Sequence, residues 1–487
     1  MISLSPTEIA RGARAGLVAG PAGRDGMADA PARAVVDSRQ AGPGDLFVGL
    51  AGRRADGGAH AAGAIAVGAW GAIVTPAHAG AAAAAAERTG ARVFDSPDPL
   101  AALAALAGAW IERLRGGGCR VVGITGSTGK TSTKDILLAL ARPPHEGRVH
   151  ANRENYNTEV GLPLTVLEAE EGTRLLVVEM AMRGMGQIRD LARIARPDVG
   201  VITNIGPVHL ELVGTVERVA EAKAELIAEL RSGAVCVVPA AEEALHPHLR
   251  SDVRTLTFAR PEPEAGFEGV AGAAADVRAL AVEPRGDGLR VEVAAGAERA
   301  TLDFNFSHAH NVANALAAIG ALHALHVPLA ALAAGAGAVR FSSLRGEVLE
   351  LPGDVVVVND CYNANPVSMR AALEHLAAVA DRRAAQRVVA VLGDMRELGP
   401  AAAGFHHEAG AQAAAVGVEL LVAVGDHARD YVRGFGGPAE QAPDAESAAE
   451  LAARLVRPGD VVLVKGSRGV GLERVTEELQ AARGSVI

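Results

Sequence analysis

The stretch at residues 126–132 reads Gly-Ser-Thr-Gly-Lys-Thr-Ser, a composition suited to holding phosphate. Its glycines let backbone N–H groups approach phosphate oxygens, Lys130 can reach the outer phosphates, and Thr131 can ligate Mg²⁺. An apolar run precedes it and a helix-like run follows it. The match is to the short form Gly-x-x-Gly-Lys-Thr, because Ile124 stands where the standard phosphate loop has glycine. An ordinary turn is the alternative, and the flanking strand and helix favour nucleotide binding over it.

Two further polar side chains follow predicted strands. Glu179 ends an apolar run at 174–179, and His209 comes shortly after another at 198–203. Because ligands of a parallel sheet lie outside the carboxyl ends of its strands, these groups are expected beside Thr131. Taken singly, the glutamate reads as a helix cap and the histidine as a surface residue. Their shared edge favours metal ligation next to bound phosphates.

Lys223 interrupts the apolar face of a predicted helix that begins at Thr215 and runs to about Arg231. Val219 and Leu230 follow the helical spacing on the same face. One interpretation is that the aliphatic stem packs while the ammonium reaches water. The other places the amine in the site, either paired with phosphate or carbamylated into an anion that faces Mg²⁺.

Two later segments carry side chains that suit a nucleoside. Residues 307–314 open a helix with His310, Asn311 and a second asparagine, and an amide can read an adenine edge through paired donor and acceptor groups. Simple helix capping is the alternative. Residues 359–366 directly follow a predicted buried strand and are too polar for a core. Arg345 precedes that strand and either meets ribose or phosphate or stays solvated.

The chain of 487 residues is too long for one core and predicts three domains. Residues 1–96 predict a small α/β domain. Residues 97–340 predict a doubly wound domain of the phosphate-loop ATPase kind, with an antiparallel appendage at 276–306. Residues 341–487 predict a Rossmann-like α/β domain in which 436–443 is a surface loop. The fold class is therefore α/β, with a central nucleotide domain between two smaller ones.

Composition limits the partners and the compartment. The net charge is −10 and no basic block occurs, which argues against nucleic acid as a partner. Three widely spaced cysteines form no CxxC pair, as is typical of a reducing cytosol. The first residues lack the pattern of a signal peptide, and we expect no stable membrane insertion. A cytoplasmic protein is therefore predicted.

Together these motifs resemble those of the Mur ligases, the ATP-dependent amide ligases of peptidoglycan precursor synthesis. The resemblance covers essentially the whole chain. It rests on residues 37–39 with 43–48, 126–132, 155–163, 202–211, the Lys223 helix, 310–311, 360–366, 392–399 and 464–468. The segments Tyr-Asn-Ala-Asn-Pro and Gly-Asp-Met-Arg-Glu-Leu-Gly are typical of the member that adds D-alanyl-D-alanine.

The resemblance implies a reaction and its ligands. The terminal carboxylate of UDP-MurNAc-tripeptide is phosphorylated by ATP, and the amine of D-Ala-D-Ala attacks the acyl phosphate. ATP and Mg²⁺ are the implied cofactors, and we expect a monomer. A ligase of the same superfamily with another amino-acid or folate substrate stays open. So does a regulatory nucleotide-binding protein without catalysis.

The resemblance also implies roles for individual residues. The catalytic set is Lys130, Glu179, His209 and Lys223, the last of them carbamylated, and the Mg²⁺ ligands are Thr131, Glu179 and His209. The nucleotide contacts are Gly126, Ser127, Thr128, Gly129, Lys130, Thr131, Ser132, Asn311, Arg345 and Asp360. The first domain holds the UDP group near Ser38 and Arg39, and further substrate contacts are Asn157, Thr158, Tyr362, Asn363 and Asn365. D-Ala-D-Ala is assigned to Asp394, Lys465, Ser467 and Arg468.

Overall fold

The computed structural model describes residues 4–21, 30–52, 55–153, 155–260 and 275–484. Within these residues the chain builds three separate sheets, of five, nine and six strands, with helices packed on each. The predicted fold class, α/β with three domains, is confirmed. The residue limits set for those domains stay predictions.

The N-terminal sheet has the order β1-β5-β4-β3-β2, and all of its pairs except β1–β5 are parallel. Its strands are β1 Gly16–Ala19, β2 Ala34–Val35, β3 Leu46–Val48, β4 Gly71–Val74 and β5 Arg92–Asp95, and its helices are α1 Pro6–Ala13, α2 Ala61–Ala66 and α3 Pro76–Thr89. Ser5 and Glu8 form the capping box of α1. The following helix, α4 Pro99–Gly116, is amphipathic and buries Trp110, whose indole donates to the Ala169 carbonyl at 2.9 Å. This helix therefore ties the N-terminal domain to the central one.

The central sheet has the order β14-β13-β12-β11-β10-β9-β6-β8-β7 and is parallel from β12 to β7. Its strands are β6 Arg120–Thr125, β7 Val149–Ala151, β8 Leu175–Glu179, β9 Val199–Ile202, β10 Val235–Pro239, β11 Arg254–Ala259, β12 Val277–Arg285, β13 Gly288–Ala295 and β14 Glu298–Phe304. Its helices are α5 Lys130–Ala141, α6 Gly161–Glu168, α7 Gln187–Ala195, α8 Leu210–Val213, α9 Val216–Ala228, α10 His310–Ala324 and α11 Ala333–Ala336. Helices α4, α6, α7 and α9 share one apolar core with one face of the sheet, and α5 and α10 share another with the opposite face. The sheet is thus doubly wound, and its antiparallel extension is β12 to β14.

The C-terminal sheet has the order β15-β16-β20-β17-β18-β19, parallel except for its edge strand β15. Its strands are β15 Glu347–Leu351, β16 Val355–Asn359, β17 Arg387–Gly393, β18 Leu420–Val424, β19 Ala439–Ala442 and β20 Asp460–Lys465, and its helices are α12 Pro366–Arg383, α13 Ala402–Ala415, α14 Ala428–Phe435, α15 Ala445–Leu455 and α16 Glu473–Arg483. Short 3₁₀ turns lie at Gly57–His60, Glu243–His248, Leu329–Leu332, Gly399–Ala401 and Arg468–Val470. Within the described residues, no helix combines the length and apolarity needed to cross a membrane.

One segment differs from its prediction. Residues 436–443 were expected to form a surface loop, and the structure places strand β19 there, paired in parallel with β18. Only Ala442 of this edge strand is buried, and Glu440 and Gln441 are exposed. The strand therefore carries almost none of the apolar signal that identifies central strands.

The central and C-terminal domains meet at two stacked histidines. His308, just before α10, stacks on His375 of α12 with ring centroids 3.5 Å apart. Burial lowers the pKa of His308 to about 3 and that of His375 to about 2. Nearby His310 and Arg382 lower both pKa values further, and Asp360 opposes this for His308. Both rings are therefore neutral in the folded protein at neutral pH.

This pair predicts that acid weakens the fold. Since the folded pKa values lie below the usual histidine value, stability is present above about pH 6.5 and is lost as the pH falls toward the folded values. Between pH 7.5 and 5.5 the expected loss is about 1.4 kcal/mol per histidine. Urea unfolding of His375→Leu should show a smaller loss over this pH interval than the unaltered protein. An equal loss in both proteins would contradict the assignment.

Candidate active site

The loop between β6 and α5 is held in shape by two glycines and by the segment after β9. A Cβ on Gly126, at φ +146°, would lie 1.9 Å from Thr203 Oγ1, and one on Gly129, at φ +75°, would lie 2.2 Å from Asn314 Oδ1. The Thr128 N–H donates to Asn204 Oδ1 at 2.8 Å. Side chains larger than hydrogen therefore do not fit at these two positions, and the loop stays narrow enough for its N–H groups to face a phosphate.

Glu179 is the buried anion at this edge of the sheet, with 2% of its surface exposed. The Thr131 hydroxyl donates to one carboxylate oxygen at 2.7 Å, and the Asn157 amide donates to the other at 2.8 Å. Asn152 holds the backbone of Glu179 from both sides, accepting from its N–H at 2.8 Å and donating to its carbonyl at 3.0 Å. The helix-cap interpretation of Glu179 is therefore wrong.

Two ammonium groups face this carboxylate. Lys130 donates to the Gly126 carbonyl at 2.7 Å and to the Ser127 carbonyl at 3.3 Å, so it folds back over its own loop. Lys223 is 1% exposed, which excludes the interpretation in which its ammonium reaches water. Burial lowers the pKa of both lysines; the charge of Lys130 lowers that of Lys223 further, and Glu179 opposes the shift in each. Burial and the charge of Lys130 therefore both favour the neutral form of the Lys223 amine.

His209 lies at the rim of the same site in a left-handed backbone conformation, φ 55°. Its Nδ1 contacts the carboxylate of Glu397, which comes from the C-terminal domain after β17. Burial lowers the pKa of His209, the hydrogen bond to Glu397 opposes this, and the charges of Lys223 and Lys130 lower it further. These interactions place the ring beside the phosphate loop rather than on the open surface.

The C-terminal domain contributes a second polar group where β16 and β20 end. Lys465, 1% exposed, donates to the Asp360 carboxylate at 2.6 Å and to the Asn363 carbonyl at 3.0 Å. The Arg345 guanidinium lies over the Tyr362 ring, 4.1 Å from its centroid. The Asp360–Lys465 pair provides charged groups, and the Arg345–Tyr362 stack provides a flat surface on which a ligand ring could pack.

A cavity of about 1410 Å³ joins the two groups. Most predicted site residues line it: Ser127, Thr128, Gly129, Lys130, Thr131, Ser132, Asn157, Thr158, Glu179, His209, Asn311, Arg345, Asp360, Tyr362, Asn363, Asn365, Lys465, Ser467 and Arg468. Neither Asn311 nor Asn314 caps α10, because the helix has no side-chain cap; instead Asn314 donates to Asn311 Oδ1 at 2.8 Å. The helix-capping interpretation of these asparagines is therefore wrong. By contrast, Asn365 is the side-chain cap of α12.

Five predicted residues are absent from the described cavity lining: Gly126, Lys223, Ser38, Arg39 and Asp394. Gly126 lies in the phosphate loop against Thr203, and Lys223 is buried in α9. Ser38 and Arg39 belong to a turn of the N-terminal domain, where the Arg39 guanidinium pairs with Asp37 at 2.6 Å. Asp394 accepts from the N–H groups of residues 426 and 427 at 2.9 and 3.0 Å, and it is absent from the described cavity lining. Its carboxylate fixes the loop between β18 and α14, so the structure does not bring it to the cavity.

Three site residues had no predicted role. Asn152 and Asn204 brace Glu179 and the phosphate loop, and Glu397 contacts His209. Asn314, the second asparagine of the segment 307–314, packs against Gly129. The two braces lie in or beside motifs that the sequence does show, at 155–163 and 202–211. The residues that Asn152 and Asn204 contact, however, are brought to them by the order of strands in the sheet. The one sequence signal for these contacts is that all of the residues lie near the carboxyl ends of parallel strands.

The oxygen atoms of Thr131 and Glu179 suit Mg²⁺. This cation prefers hard oxygen ligands, and it commonly takes one or two protein carboxylates together with water and substrate phosphates. Among the described residues, no cluster of three or more histidine, cysteine, aspartate or glutamate side chains could hold a metal ion. A Mg²⁺ site here therefore depends on phosphate oxygens for the rest of its ligands.

Comparison with known protein families gives separate matches for the central and C-terminal domains. Residues 124–322 match the Mur ligase middle domain, and residues 344–468 match the family described as Mur ligase, glutamate ligase domain. The UDP-N-acetylmuramoyl-tripeptide--D-alanyl-D-alanine ligase of Mycobacterium tuberculosis strain H37Rv is 36% identical over 91% of each chain.

Solved structures agree with this match. A crystal structure of MurF from Acinetobacter baumannii covers 98% of each chain with a TM-score of 0.81 at 25% identity. The structure of MurF ligase from Thermotoga maritima in complex with ADP covers 92% of this chain and 97% of its own, with a TM-score of 0.73 at 30% identity. The family resemblance drawn from the motifs is confirmed, and the chain belongs to the Mur ligase family.

Proposed function

We propose that this protein is an ATP-dependent amide ligase that joins D-alanyl-D-alanine to the tripeptide of UDP-MurNAc-tripeptide in peptidoglycan precursor synthesis. The observation that carries the proposal is the cavity shared by two domains, with the phosphate loop and Glu179 on one side and Asp360 and Lys465 on the other. The names of the similar ligases supply the substrates. A cytoplasmic monomer with the domain limits 1–96, 97–340 and 341–487 is part of the proposal.

The reaction has two steps. The terminal carboxylate of the tripeptide attacks the γ-phosphorus of ATP, giving an acyl phosphate and ADP. The amine of D-Ala-D-Ala then attacks the acyl carbon, phosphate leaves, and the amine gives up its proton. Lys130 leaves the carbonyls of Gly126 and Ser127 and follows the transferring phosphoryl group, whose negative charge it stabilises.

Thr131 and Glu179 would hold Mg²⁺, and His209 would contribute a nitrogen to a second ion shared with Glu179. Bound there, Mg²⁺ neutralises charge that develops on the phosphate oxygens. Asn157 keeps the Glu179 carboxylate oriented through its amide. The Thr131 hydroxyl donates its hydrogen to Glu179, which leaves the lone pairs of its oxygen available to a cation.

Lys223 would be carbamylated. Its amine is buried in α9 and makes no hydrogen bond or ion pair with any described residue. Burial lowers its pKa, which exposes the neutral amine that reacts with CO₂. Only four of the 47 basic side chains of this sequence are lysines. Lysine at this position is informative because an arginine in its place has no amine that could form a carbamate.

The remaining contacts divide between the domains. Asn311, Arg345 and Asp360 would bind adenosine, with the Arg345–Tyr362 stack beside them. Lys465, Ser467 and Arg468 would bind D-Ala-D-Ala. Asp394 would contribute indirectly, by fixing the loop after β18 through its hydrogen bonds to the backbone there. Ser38 and Arg39 would meet the uridine end of the substrate, which requires the N-terminal domain to move toward the cavity.

The proposed function predicts amine-dependent turnover. With ATP, Mg²⁺ and UDP-MurNAc-tripeptide, phosphate release should require D-Ala-D-Ala, and the UDP-pentapeptide product should be detectable by mass spectrometry. Lys130→Ala should lower turnover about 10²–10³-fold, because it removes the charge that follows the phosphoryl group.

Arg142→Ala is the matched control, since it removes an exposed cation at the other end of α5. Phosphate release without D-Ala-D-Ala, or only with a different amino acid, would point to another ligase of the family. Near-normal turnover in Lys130→Ala would exclude the phosphate-loop assignment. Nucleotide binding without any turnover would indicate a regulatory protein.

Carbamylation predicts that Lys223→Ala loses about 10²-fold or more of its turnover, the scale of losing an outer ligand-orienting group. Lys223→Arg should be as inactive, because it keeps the charge but cannot form a carbamate. Formate or bicarbonate should restore part of the activity to Lys223→Ala, measured by product formation. Arg218→Ala, on the exposed face of the same helix, is the control. Full activity in Lys223→Arg would contradict carbamylation.

A further inference from the structure

Glu397 belongs to the C-terminal domain but makes its contacts with the central one. It lies after β17, just before the 3₁₀ turn Gly399–Ala401. Its carboxylate contacts His209 Nδ1, and its backbone carbonyl accepts from the Glu211 N–H at 3.2 Å. A Cβ on Gly399 would lie 3.3 Å from the backbone of Glu211. The two segments are thus in contact along their main chains as well as through one side-chain pair.

Both partners adopt an uncommon backbone conformation. His209 has φ 55° and Glu397 has φ 63°, in the left-handed region that residues with a Cβ rarely occupy. Such conformations persist where the surrounding contacts hold them. Here each of the two residues is held at the point where it meets the other domain.

The contact fixes the chemistry of the His209 ring. An ionised carboxylate can only accept hydrogen bonds, so Nδ1 must carry the hydrogen and donate it to Glu397. The lone pair is then on Nε2, the ring nitrogen that is left to bind a cation. Histidines that ligate metals in proteins commonly donate their other ring N–H to a carboxylate, which fixes the tautomer and the ring direction.

Arg183 orients the carboxylate from outside. Its guanidinium Nε lies 3.5 Å from the other oxygen of Glu397, and the arginine side chain is 77% exposed. One oxygen of Glu397 is thereby directed to solvent and the other to the imidazole. This division favours a single orientation of the carboxylate.

We propose that Glu397 is a positioning residue for the phosphate and metal site: it sets the tautomer and direction of His209 from the C-terminal domain. The proposal rests on the proposed function, since it requires a cation beside bound phosphates. Its consequence is that the second cation site is complete only when the C-terminal domain is docked on the central domain. Domain docking and metal affinity are then two aspects of one contact.

The test measures Mn²⁺ affinity by electron paramagnetic resonance of the free ion, in the presence of a non-hydrolysable ATP analogue. Glu397→Ala should weaken binding of the second Mn²⁺ about 10-fold or more, the scale of losing a carboxylate behind a ligating histidine. Glu397→Gln keeps an oxygen that can accept from Nδ1 and should weaken it less, within about threefold. Glu446→Ala, an exposed glutamate on α15 that pairs only with Arg474 among described residues, should bind as the unaltered protein does.

A double-mutant cycle separates positioning from docking. In the His209→Ala background, Glu397→Ala should cause no further loss, because Glu397 acts through His209. An equal loss in both backgrounds, no loss from Glu397→Ala, or unchanged Mn²⁺ affinity in His209→Ala would each overturn the proposal. Urea unfolding confirms that the variants are folded. Failure of the proposed function is seen separately, as the absence of amine-dependent product formation in the unaltered protein.

Discussion

The buried carboxylate of Glu179 is the constraint around which the rest of the site is arranged. An isolated ionised carboxylate is very costly to bury, so it must be hydrogen-bonded and faced by positive charge. Thr131 and Asn157 supply the hydrogen bonds, and Lys130 supplies a nearby positive charge. A carbamylated Lys223 would add a second anion beside Glu179, and the Mg²⁺ that accompanies a bound polyphosphate is the ligand that balances both.

Lysine usage supports this electrostatic account. The chain has four lysines, Lys130, Lys134, Lys223 and Lys465, and arginine supplies its other basic side chains. Three of them form the charged part of the site, and Lys134 donates to the carbonyl of Asn152, which holds Glu179. Lysine is a compact point charge whose amine can change its protonation state, whereas arginine is a planar fork that stays charged. In this sequence lysine thus occurs only in and around the site, where a compact amine that can change its charge is needed.

The sequence predicts contacts between residues that are close in the chain, and it leaves open the contacts that depend on how separate elements and domains pack together. The phosphate loop at 126–132 was predictable because its glycines, lysine and threonine act within one turn. The position of Lys223 on an apolar helical face was visible in the sequence, but its burial was left open, because Lys130 and Glu179 come from other elements of the fold. The contact between Glu397 and His209 depends on how the C-terminal domain meets the central one. The position of Asp394 outside the cavity depends on its hydrogen bonds to the loop after β18. Strand β19 was missed because an edge strand carries little apolar pattern.

The claim that Glu179 anchors a phosphate and metal site is tested most directly by locating a divalent cation in crystals. The crystals are grown with Mn²⁺ and a non-hydrolysable ATP analogue. Anomalous scattering should show a Mn²⁺ peak within about 2.5 Å of Thr131 Oγ1 and of a Glu179 carboxylate oxygen, with phosphate oxygens completing the shell. A peak ligated by other side chains, away from both Thr131 and Glu179, would contradict a phosphate and metal site built on Glu179.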